Sequence, residues 1–415
     1  MKRKAYDVIV VGCGPAGAVA GMHIASAGLS TLIVDRRRDI GLPLHHAGQL
    51  FYSISSAEET AKIRIDRRCI ITKVEQEQYF TSSGDASEAL PFEDACIVDG
   101  QLFDKSLATQ AARKGAEIMI NAPVVNVIRE DNMIRGVIVK KQGEMIPVHS
   151  QVVIGADGID GIVGRLCGLH LETPNCTIGA EYTLVNVKPI EPPTFELCWI
   201  PGFGAGGFGY VMPRIEDSIY VGMQIPQTLQ GKLSIEQSLG KFMKHLQDSG
   251  RYHLEGAQAV RLCTGSAVVG VQPQIESLIT DGALLVGDAA RRPTVGSRWG
   301  SAGIAHAMFT GCLAAETVVD AIKHHEVSKK RLAAYVDKIQ ETVDEQETNI
   351  LEAGQMYRRL TSLGNVERDR AIKEVGQDIA RLRLLARGAL PFKASLEVIK
   401  KWLEGVSRKD DHDNN

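Results

Sequence analysis

The stretch VIVVGCGPAG, residues Val8–Gly17, decides the fold of this chain. The β-branched run Tyr6–Val11 predicts a strand, and the small residues Ala18–Ala27 predict a helix. Ser30–Val34 predicts a second strand that ends at an aspartate. Strand, glycine-rich turn, helix and strand in this order form a βαβ unit, which begins a doubly wound α/β sheet.

The turn itself has the spacing Gly12-x-Gly14-x-x-Gly17. In a dinucleotide-binding unit the first glycine makes the tight turn, the second lets the backbone approach a diphosphate, and the third lets helix and strand pack closely. Asp35 follows Gly17 by eighteen residues, where a carboxylate holds a ribose hydroxyl. The pattern predicts a dinucleotide site, and a purely structural glycine turn is the alternative.

Composition limits the classes of partner. The 415 residues are 44% hydrophobic and 23% charged, which is ordinary for a globular protein with a large core. Lys and Arg number 47 against 50 Asp and Glu, and aromatic residues make up only 5%. These values argue against a basic nucleic-acid binder and against an aromatic platform for bases, so we expect no nucleic-acid partner.

The chain has few targeting or cysteine signals. No apolar run is long enough to span a bilayer, and the one behind the basic start, Val8–Val11, is too short for a signal peptide. The eight cysteines are scattered without a Cys-x-x-Cys pair. We therefore expect a cytoplasmic chain with no metal site.

The pattern changes along the chain and predicts three parts. Residues of about 170–275 carry alternating strands and glycine-rich loops, whereas the segments on either side continue the parallel pattern. The predicted parts are a discontinuous cofactor-binding domain (1–65, 95–168 and 276–325), an inserted sheet-rich substrate domain (66–94 and 169–275) and a helical C-terminal region (326–415).

Three distant motifs favour FAD over a nicotinamide cofactor. Val98-Asp99 precedes the helix start at Phe103-Asp104, and the segments Gly155–Gly158 (GADG) and Gly287–Ala290 (GDAA) each follow a predicted strand. Alone, each is an ordinary turn at the end of a strand. In this order and spacing they resemble the Rossmann-like FAD fold of the para-hydroxybenzoate hydroxylase type, in which the carboxylate of Asp288 lies near the ribityl chain.

Residues 5–325 resemble the geranylgeranyl reductase family, which includes archaeal digeranylgeranylglycerophospholipid reductases. The loop Gly41–Gln49 (GLPLHHAGQ) corresponds to the family's Gly-x-Pro-Val-Arg-Cys-Gly-Glu-Gly. Gly207–Pro213 (GFGYVMP) corresponds to Gly-Tyr-x-Trp-x-Phe-Pro, and Gly303-Ile304 matches a later Gly-Ile. The chain differs at three places: His46 replaces a cysteine, Gly100 replaces an arginine, and 291–302 is about three residues longer.

The resemblance implies FAD-dependent reduction of carbon–carbon double bonds in isoprenoid (geranylgeranyl) chains of lipids. It adds further FAD contacts to Gly12, Gly14, Gly17 and Asp35. These contacts are Ala16, His46, Ala47, Ala122, Val124, Asp288, Gly303 and Ile304.

Two groups are candidates for the substrate side. Phe208 and Tyr210 are two residues apart, so they project from one face of a strand and form an aromatic wall for an extended apolar substrate, or else are core residues. His46 is the candidate catalytic residue, because an imidazole exchanges a proton near neutral pH. Covalent attachment of FAD and a loop residue bonded to backbone are the alternatives for His46.

The partners expected are an isoprenoid or other apolar substrate and an external electron donor. The chain has no second complete dinucleotide turn, so we expect no separate nicotinamide domain. A ferredoxin, a deazaflavin and a transiently docked nicotinamide (NADPH) remain as candidate donors. Rival functions are a flavin-dependent monooxygenase or halogenase on the same fold, a quinone-linked electron-transfer flavoprotein, and a redox-silent FAD-binding scaffold.

The tail from Ile379 to Lys409 has eight Lys or Arg with interleaved leucines and Trp402. A basic amphipathic stretch of this kind lies on an anionic membrane surface, or packs on its own protein with one solvated face. The first interpretation predicts peripheral contact with the membrane.

Overall fold

The structure is a computed structural model. It describes residues 5–43, 49–51, 53–80, 86, 89–169, 176–198, 208–226, 234–268, 278–290, 302–341, 356, 359–360, 363, 366–367, 369–375, 378 and 397–404. Within these residues the chain forms two sheets of eight strands each.

The first sheet is mainly parallel and contains the βαβ unit. Its strands are β1 (Ala5–Val11), β2 (Thr31–Val34), β6 (Glu117–Met119), β7 (Val124–Glu130), β8 (Met133–Lys141), β9 (Glu144–Gly155), β15 (Ile279–Thr280) and β16 (Ala283–Leu285). They lie in the order β15-β16-β9-β1-β2-β6, and the hairpin β7–β8 pairs with the first half of β9. β1 is parallel to both β2 and β9, and it is almost wholly buried because helices cover the sheet.

The second sheet is mainly antiparallel. Its strands are β3 (Gln49–Phe51), β4 (Ile70–Phe80), β5 (Leu90–Val98), β10 (Cys176–Val185), β11 (Thr194–Cys198), β12 (Phe208–Pro213), β13 (Ser218–Pro226) and β14 (Gln258–Val268). They lie in the order β14-β10-β13-β12-β11-β4-β5-β3, and only the β4–β11 pair is parallel.

Seven α-helices accompany the sheets in the segments that carry element bounds. They are α1 (Pro15–Ser26), α2 (Ile54–Ala61), α3 (Gly100–Arg113), α4 (Val163–Leu166), α5 (Ile235–Asp248), α6 (Ala302–Lys323) and α7 (Lys329–Glu341). α1, α3, α6 and α7 share one core with the first sheet. None of the helices that the structure describes is both long and apolar enough to cross a membrane.

The second sheet has a core on each face. Phe242 of α5 lies in one, and Tyr210 of β12 lies in the other together with Ile399 and Leu403 from the C-terminal part. Residues 397–404 are helical, and Trp402 donates a hydrogen bond to Glu374 (2.7 Å). Ile399, Trp402 and Leu403 of the tail therefore pack on their own protein, whereas Val398 is exposed.

The predicted strands and helices of the βαβ unit are present within a few residues of their expected ends. Residues 49–51 form the short strand β3, which pairs with β5. β3 and the last residues of β5 therefore belong to the second sheet. The division into three domains stays a proposal.

The parallel strands determine where the polar loops come together. β1, β2, β9 and β16 run in the same direction, so their carboxyl ends meet at one edge of the first sheet. Gly12, Asp35, Asp157 and Asp288 follow these four ends. The edge is the expected ligand-binding side of such a sheet.

Candidate cofactor and substrate site

A cavity of about 830 Å³ lies between this edge and the second sheet. Its first wall contains the glycine turn, the loops after β2 and β9, and the start of α6. Its second wall contains Thr177 and Gly179 of β10, Gln224 of β13, and Thr264 and Ser266 of β14. Both sheets therefore contribute to the wall of the cavity.

The glycine turn leaves the N-terminus of α1 open to the cavity. Gly14 is the N-cap residue and gives no side-chain cap, and Pro15 occupies the first turn. A Cβ atom built on Gly14 would meet nothing within 4 Å. The first N–H groups of a helix carry partial positive charge, so this end suits a diphosphate.

The neighbouring glycines have no such space. Gly12 has φ +106°, and a Cβ atom there would lie 2.2 Å from the Ala156 carbonyl oxygen. A Cβ atom on Gly17 would lie 1.9 Å from the Gly12 carbonyl oxygen. Gly311 of α6 closes on the same turn, since its Cβ atom would lie 2.3 Å from the Ala16 carbonyl oxygen.

Asp35 is buried just after β2 and accepts four hydrogen bonds. Its Oδ2 atom accepts from the Cys13 backbone N–H (2.7 Å) and from Arg37 Nη2 (2.9 Å). Its Oδ1 atom accepts from the Arg37 backbone N–H (2.8 Å) and from Arg37 Nε (3.0 Å). Burial opposes ionisation of Asp35, but the hydrogen bonds and charge of Arg37 outweigh it and lower the pKa of the carboxyl. Asp35 is therefore ionised and ties the glycine turn to Arg37.

Two further carboxylates line the cavity. Asp157 Oδ2 accepts from the N–H groups of Ile162 (2.7 Å) and Val163 (3.0 Å) at the start of α4, while its Oδ1 atom is buried with no hydrogen-bond partner in the described part of the chain. Burial raises the pKa of Asp157, and it raises the pKa of Asp288 to about 6. Asp157 Oδ2 therefore caps the start of α4, and both aspartates belong to the lining of the cavity.

Most of the predicted cofactor residues meet at this cavity. Nine of them line it: Gly12, Gly14, Ala16, Asp35, Ala122, Val124, Asp288, Gly303 and Ile304. Gly17 lies one turn along α1 and packs against the turn itself. His46 and Ala47 lie outside the described residues.

The two predicted substrate residues have different positions. Phe208 begins β12, and its backbone pairs with Gln224 of the cavity wall. Tyr210 is buried in the second sheet, where its ring lies over Gly222 and its hydroxyl donates to Glu181 (3.3 Å). Burial and the Glu181 carboxylate raise the pKa of Tyr210 well above its usual value. Tyr210 is not among the residues that line the cavity.

The sequence patterns miss two charged residues of the cavity, Arg37 and Asp104. Arg37 is joined to Asp104 of α3 through Nη1 and Oδ2 (3.4 Å), and burial raises the pKa of Asp104 to about 7 against the opposing charge of Arg37. In the sequence, Asp104 is only part of a helix-start pattern. The run of three arginines directly after Asp35 is the one signal that points to Arg37.

Comparisons with known proteins agree with this geometry. The family model described as FAD binding domain matches residues 5–308. A digeranylgeranylglycerophospholipid reductase of Methanopyrus kandleri is 31% identical over 340 residues, which cover 81% of this chain and 86% of that protein.

Two solved structures share the whole fold. A geranylgeranyl bacteriochlorophyll reductase-like protein of Thermoplasma acidophilum superposes with a TM-score of 0.80 at 24% identity, covering 97% of this chain and 99% of that one. A flavin-dependent brominase superposes with a TM-score of 0.71 at 17% identity, covering 98% and 100%. At these identities the likeness establishes the fold alone.

The matching model and the cavity define a flavoprotein of the FAD-binding class. The open end of α1 fits a diphosphate, and the cavity offers buried carboxylate oxygens to polar groups of the cofactor. The chain belongs to the digeranylgeranylglycerophospholipid reductase family within that class. The predicted family, the α/β fold with a Rossmann-like FAD-binding domain, and FAD as cofactor are confirmed.

Proposed function

We propose that this chain is an FAD-dependent oxidoreductase that reduces carbon–carbon double bonds in the isoprenoid (geranylgeranyl) chains of lipids. The relatives named digeranylgeranylglycerophospholipid reductase support the substrate class. The observation that carries the proposal is the cavity at the carboxyl edge of the first sheet. Nine of the residues predicted to bind FAD line this cavity, and the second sheet covers it.

FAD supplies the hydride for such a reduction when it is bound and reduced. The residues of the chain have three tasks around it. The open end of α1 and Gly14 hold the diphosphate, strands β10 and β14 cover the cavity against water, and an acid adds a proton to the second alkene carbon. The proposed contacts to FAD include Ala16, Asp288 and the α6 start at Gly303-Ile304.

His46 is our candidate for that acid, with Ala47 beside it at the cofactor. We expect His46→Ala to lower the rate of lipid reduction more than it lowers FAD occupancy. The wild-type rate should fall as pH rises from about 6 to about 8, where an imidazole loses its proton. Rates and flavin absorbance measured on one preparation separate the two effects. An unchanged rate across this range contradicts the proposal, and release of the flavin assigns His46 to attachment instead.

For the substrate we propose Phe208, because its partner Gln224 lines the cavity. Tyr210 lies on the same strand but does not line the cavity. We propose that it supports the substrate site indirectly, by holding β12 through its hydrogen bond to Glu181. Phe208→Ala should raise KM for the lipid at least three-fold more than it lowers kcat, since an apolar contact binds ground state and transition state alike. An unchanged KM would remove Phe208 from the substrate site.

An external donor is needed, and we propose a ferredoxin, a deazaflavin or NADPH. Bleaching of the flavin absorbance under anaerobic conditions by each donor in turn identifies it.

For the cellular location we propose a cytoplasmic chain that contacts the membrane at its surface only. Since Ile399 and Leu403 are buried, this contact is electrostatic and involves exposed residues such as Lys401. Salt should then release the protein from anionic vesicles, and Lys401→Glu should weaken binding.

The decisive experiment gives the reduced, purified protein a digeranylgeranylglycerophospholipid and follows its mass. The proposal predicts products that gain two hydrogens for each double bond. The rival functions predict other results: rapid oxygen consumption by the reduced flavin for a monooxygenase or halogenase, and electron transfer to a quinone for an electron carrier. A flavin that no donor reduces would indicate a scaffold.

A further inference from the structure

One part of the cavity rim carries a cluster of exposed apolar side chains. In the described part of the chain ten large apolar side chains are exposed, and four of them stand at the carboxyl edge of the first sheet, beside β2 and β6. These four are Leu42, Leu102, Ile120 and Val125. They belong to three segments that also contribute residues to the lining of the cavity. We call these segments, 36–42, 100–105 and 120–125, the rim patch.

Hydrogen bonds and ion pairs join the three segments into one surface. α3 begins at this edge because it runs back to the start of β6, which is parallel to β2. The Asn121 N–H donates to the Arg37 carbonyl oxygen (2.8 Å), and Lys105 Nζ lies 2.9 Å from Asp39 Oδ1. The segment after β2 therefore lies between the other two, and the four apolar side chains share one stretch of the surface.

The rim patch has an excess of basic side chains at the surface. Arg36 and Arg38 are exposed, whereas Asp39 is paired with Lys105 and Asp104 is buried. Single exposed apolar residues are ordinary, but a cluster of them indicates contact with a partner. Apolar side chains with basic neighbours suit an anionic bilayer, because the apolar groups enter its interface while guanidinium groups meet lipid phosphates.

We infer that the rim patch docks this protein on an anionic lipid surface, with its four exposed apolar side chains in the headgroup region and Arg38 at a lipid phosphate. The docked protein presents the carboxyl edge of the first sheet, and with it the cavity, to the membrane. The inference rests on the proposed function for the nature of its partner, since a reductase of lipid chains must reach a substrate that lies in a bilayer. It goes beyond the contact proposed for the tail, which is electrostatic only.

The test measures by flotation how the flavin-loaded protein partitions into vesicles of phosphatidylglycerol, which is anionic, and of phosphatidylcholine, which is neutral. The wild type should bind the anionic vesicles about five-fold more tightly. Leu102→Ser and Ile120→Ser should each weaken binding about five-fold, because each removes an apolar group from the interface. Arg38→Gln should weaken binding to the anionic vesicles only.

Ile215→Ser is the matched control. Ile215 is exposed to a similar degree as Leu102 and Ile120, but it lies between β12 and β13, at the end of β12 away from the cavity. Its variant should bind both kinds of vesicle like the wild type. All four variants should keep the flavin absorbance of the wild type, which shows that they fold.

The inference is overturned if Leu102→Ser and Ile120→Ser bind the vesicles like the wild type, or if Ile215→Ser loses as much binding as they do. It also fails if the wild type forms dimers without lipid and both variants lose them, since the rim patch then joins two copies of the chain. No lipid is reduced in this experiment, so failure of the proposed reaction leaves the partitioning unchanged. Reduction of a detergent-solubilised lipid without vesicle binding contradicts the docking surface alone.

Discussion

The two sheets that enclose the cavity place their buried and half-buried carboxylates differently. In the first sheet, Asp35 and Asp288 stand after the strand ends and face the cavity. In the second sheet, Glu181 and Glu196 lie within strands and are bonded to Tyr210 and to Tyr252 and Arg251. The difference indicates that the first pair is placed at the edge where a ligand can enter, whereas Glu181 ties β10 to β12 and Glu196 ties β11 to the segment after α5.

A pair of glycine variants in the first sheet gives the largest expected effect. In Gly17→Val the Cβ atom would lie 1.9 Å from a backbone carbonyl oxygen, which a side-chain movement cannot relieve. We expect loss of more than about 4 kcal/mol of folding free energy, or insoluble protein. Thermal or urea unfolding measures it.

Gly14→Val is the matched control, because its side chain enters open space at the cavity. It should fold with a stability near that of the wild type and purify without flavin absorbance. Full flavin occupancy in Gly14→Val would remove the diphosphate from this turn. Equal stability of the two variants would show that the turn is not packed as described.

The second sheet is tested by Arg251→Met. Arg251 Nη2 lies 2.8 Å from Glu196 Oε2, and burial raises the pKa of Glu196 against the opposing charge of Arg251. Removing Arg251 leaves a buried carboxylate whose other partner among the described residues is Tyr252, so we expect a loss of about 3 kcal/mol in urea unfolding. FAD occupancy should be unaffected.

A double variant isolates the ion pair. Glu196→Gln in the Arg251→Met background should restore part of the lost stability, since no buried charge remains. If the stability losses of Glu196→Gln alone and Arg251→Met alone add up to the loss of the double variant, the two residues do not interact. If the double variant loses FAD, the second sheet shapes the cofactor site more than its contacts suggest.

The smallest effect depends on pH and concerns Asp288. Burial raises the pKa of Asp288 to about 6, above the value of about 4 in an unfolded chain. Ionisation therefore costs the apoprotein stability above pH 6, and the cost vanishes below about pH 4. Asp288→Asn should stabilise the apoprotein by about 1–2 kcal/mol at pH 8 and leave it unchanged near pH 4. A stability loss at pH 8 would place Asp288 with the structural carboxylates of the second sheet.

The first sheet could be predicted because its signals are local. The strand, turn and helix of Tyr6–Ala27 follow one another, and their roles depend on residues a few positions apart. The partners across the fold could not be predicted. Arg37 meets Asp104 67 positions away, and three-residue β3 finds its partner in β5 only through tertiary packing.

The second sheet was less predictable for a different reason. The alternation of the sequence predicts that residues 208 and 210 share a face, but it does not predict what that face meets. Tyr210 has its place because Gly222 on β13 leaves room for its ring and because Glu181 lies on the next strand, β10. Such a contact depends on three strands together, and the pattern of one strand does not contain it.

The contact between Gly311 and the Ala16 carbonyl has a consequence for biosynthesis. The diphosphate turn leaves the ribosome roughly three hundred residues before the helix that closes on it, Ala302–Lys323. The βαβ unit of residues 5–34 therefore lacks the helix that completes its binding site while both sheets are translated. FAD should join the chain late, after this helix has docked, and shortened chains that stop before residue 302 should leave the ribosome colourless.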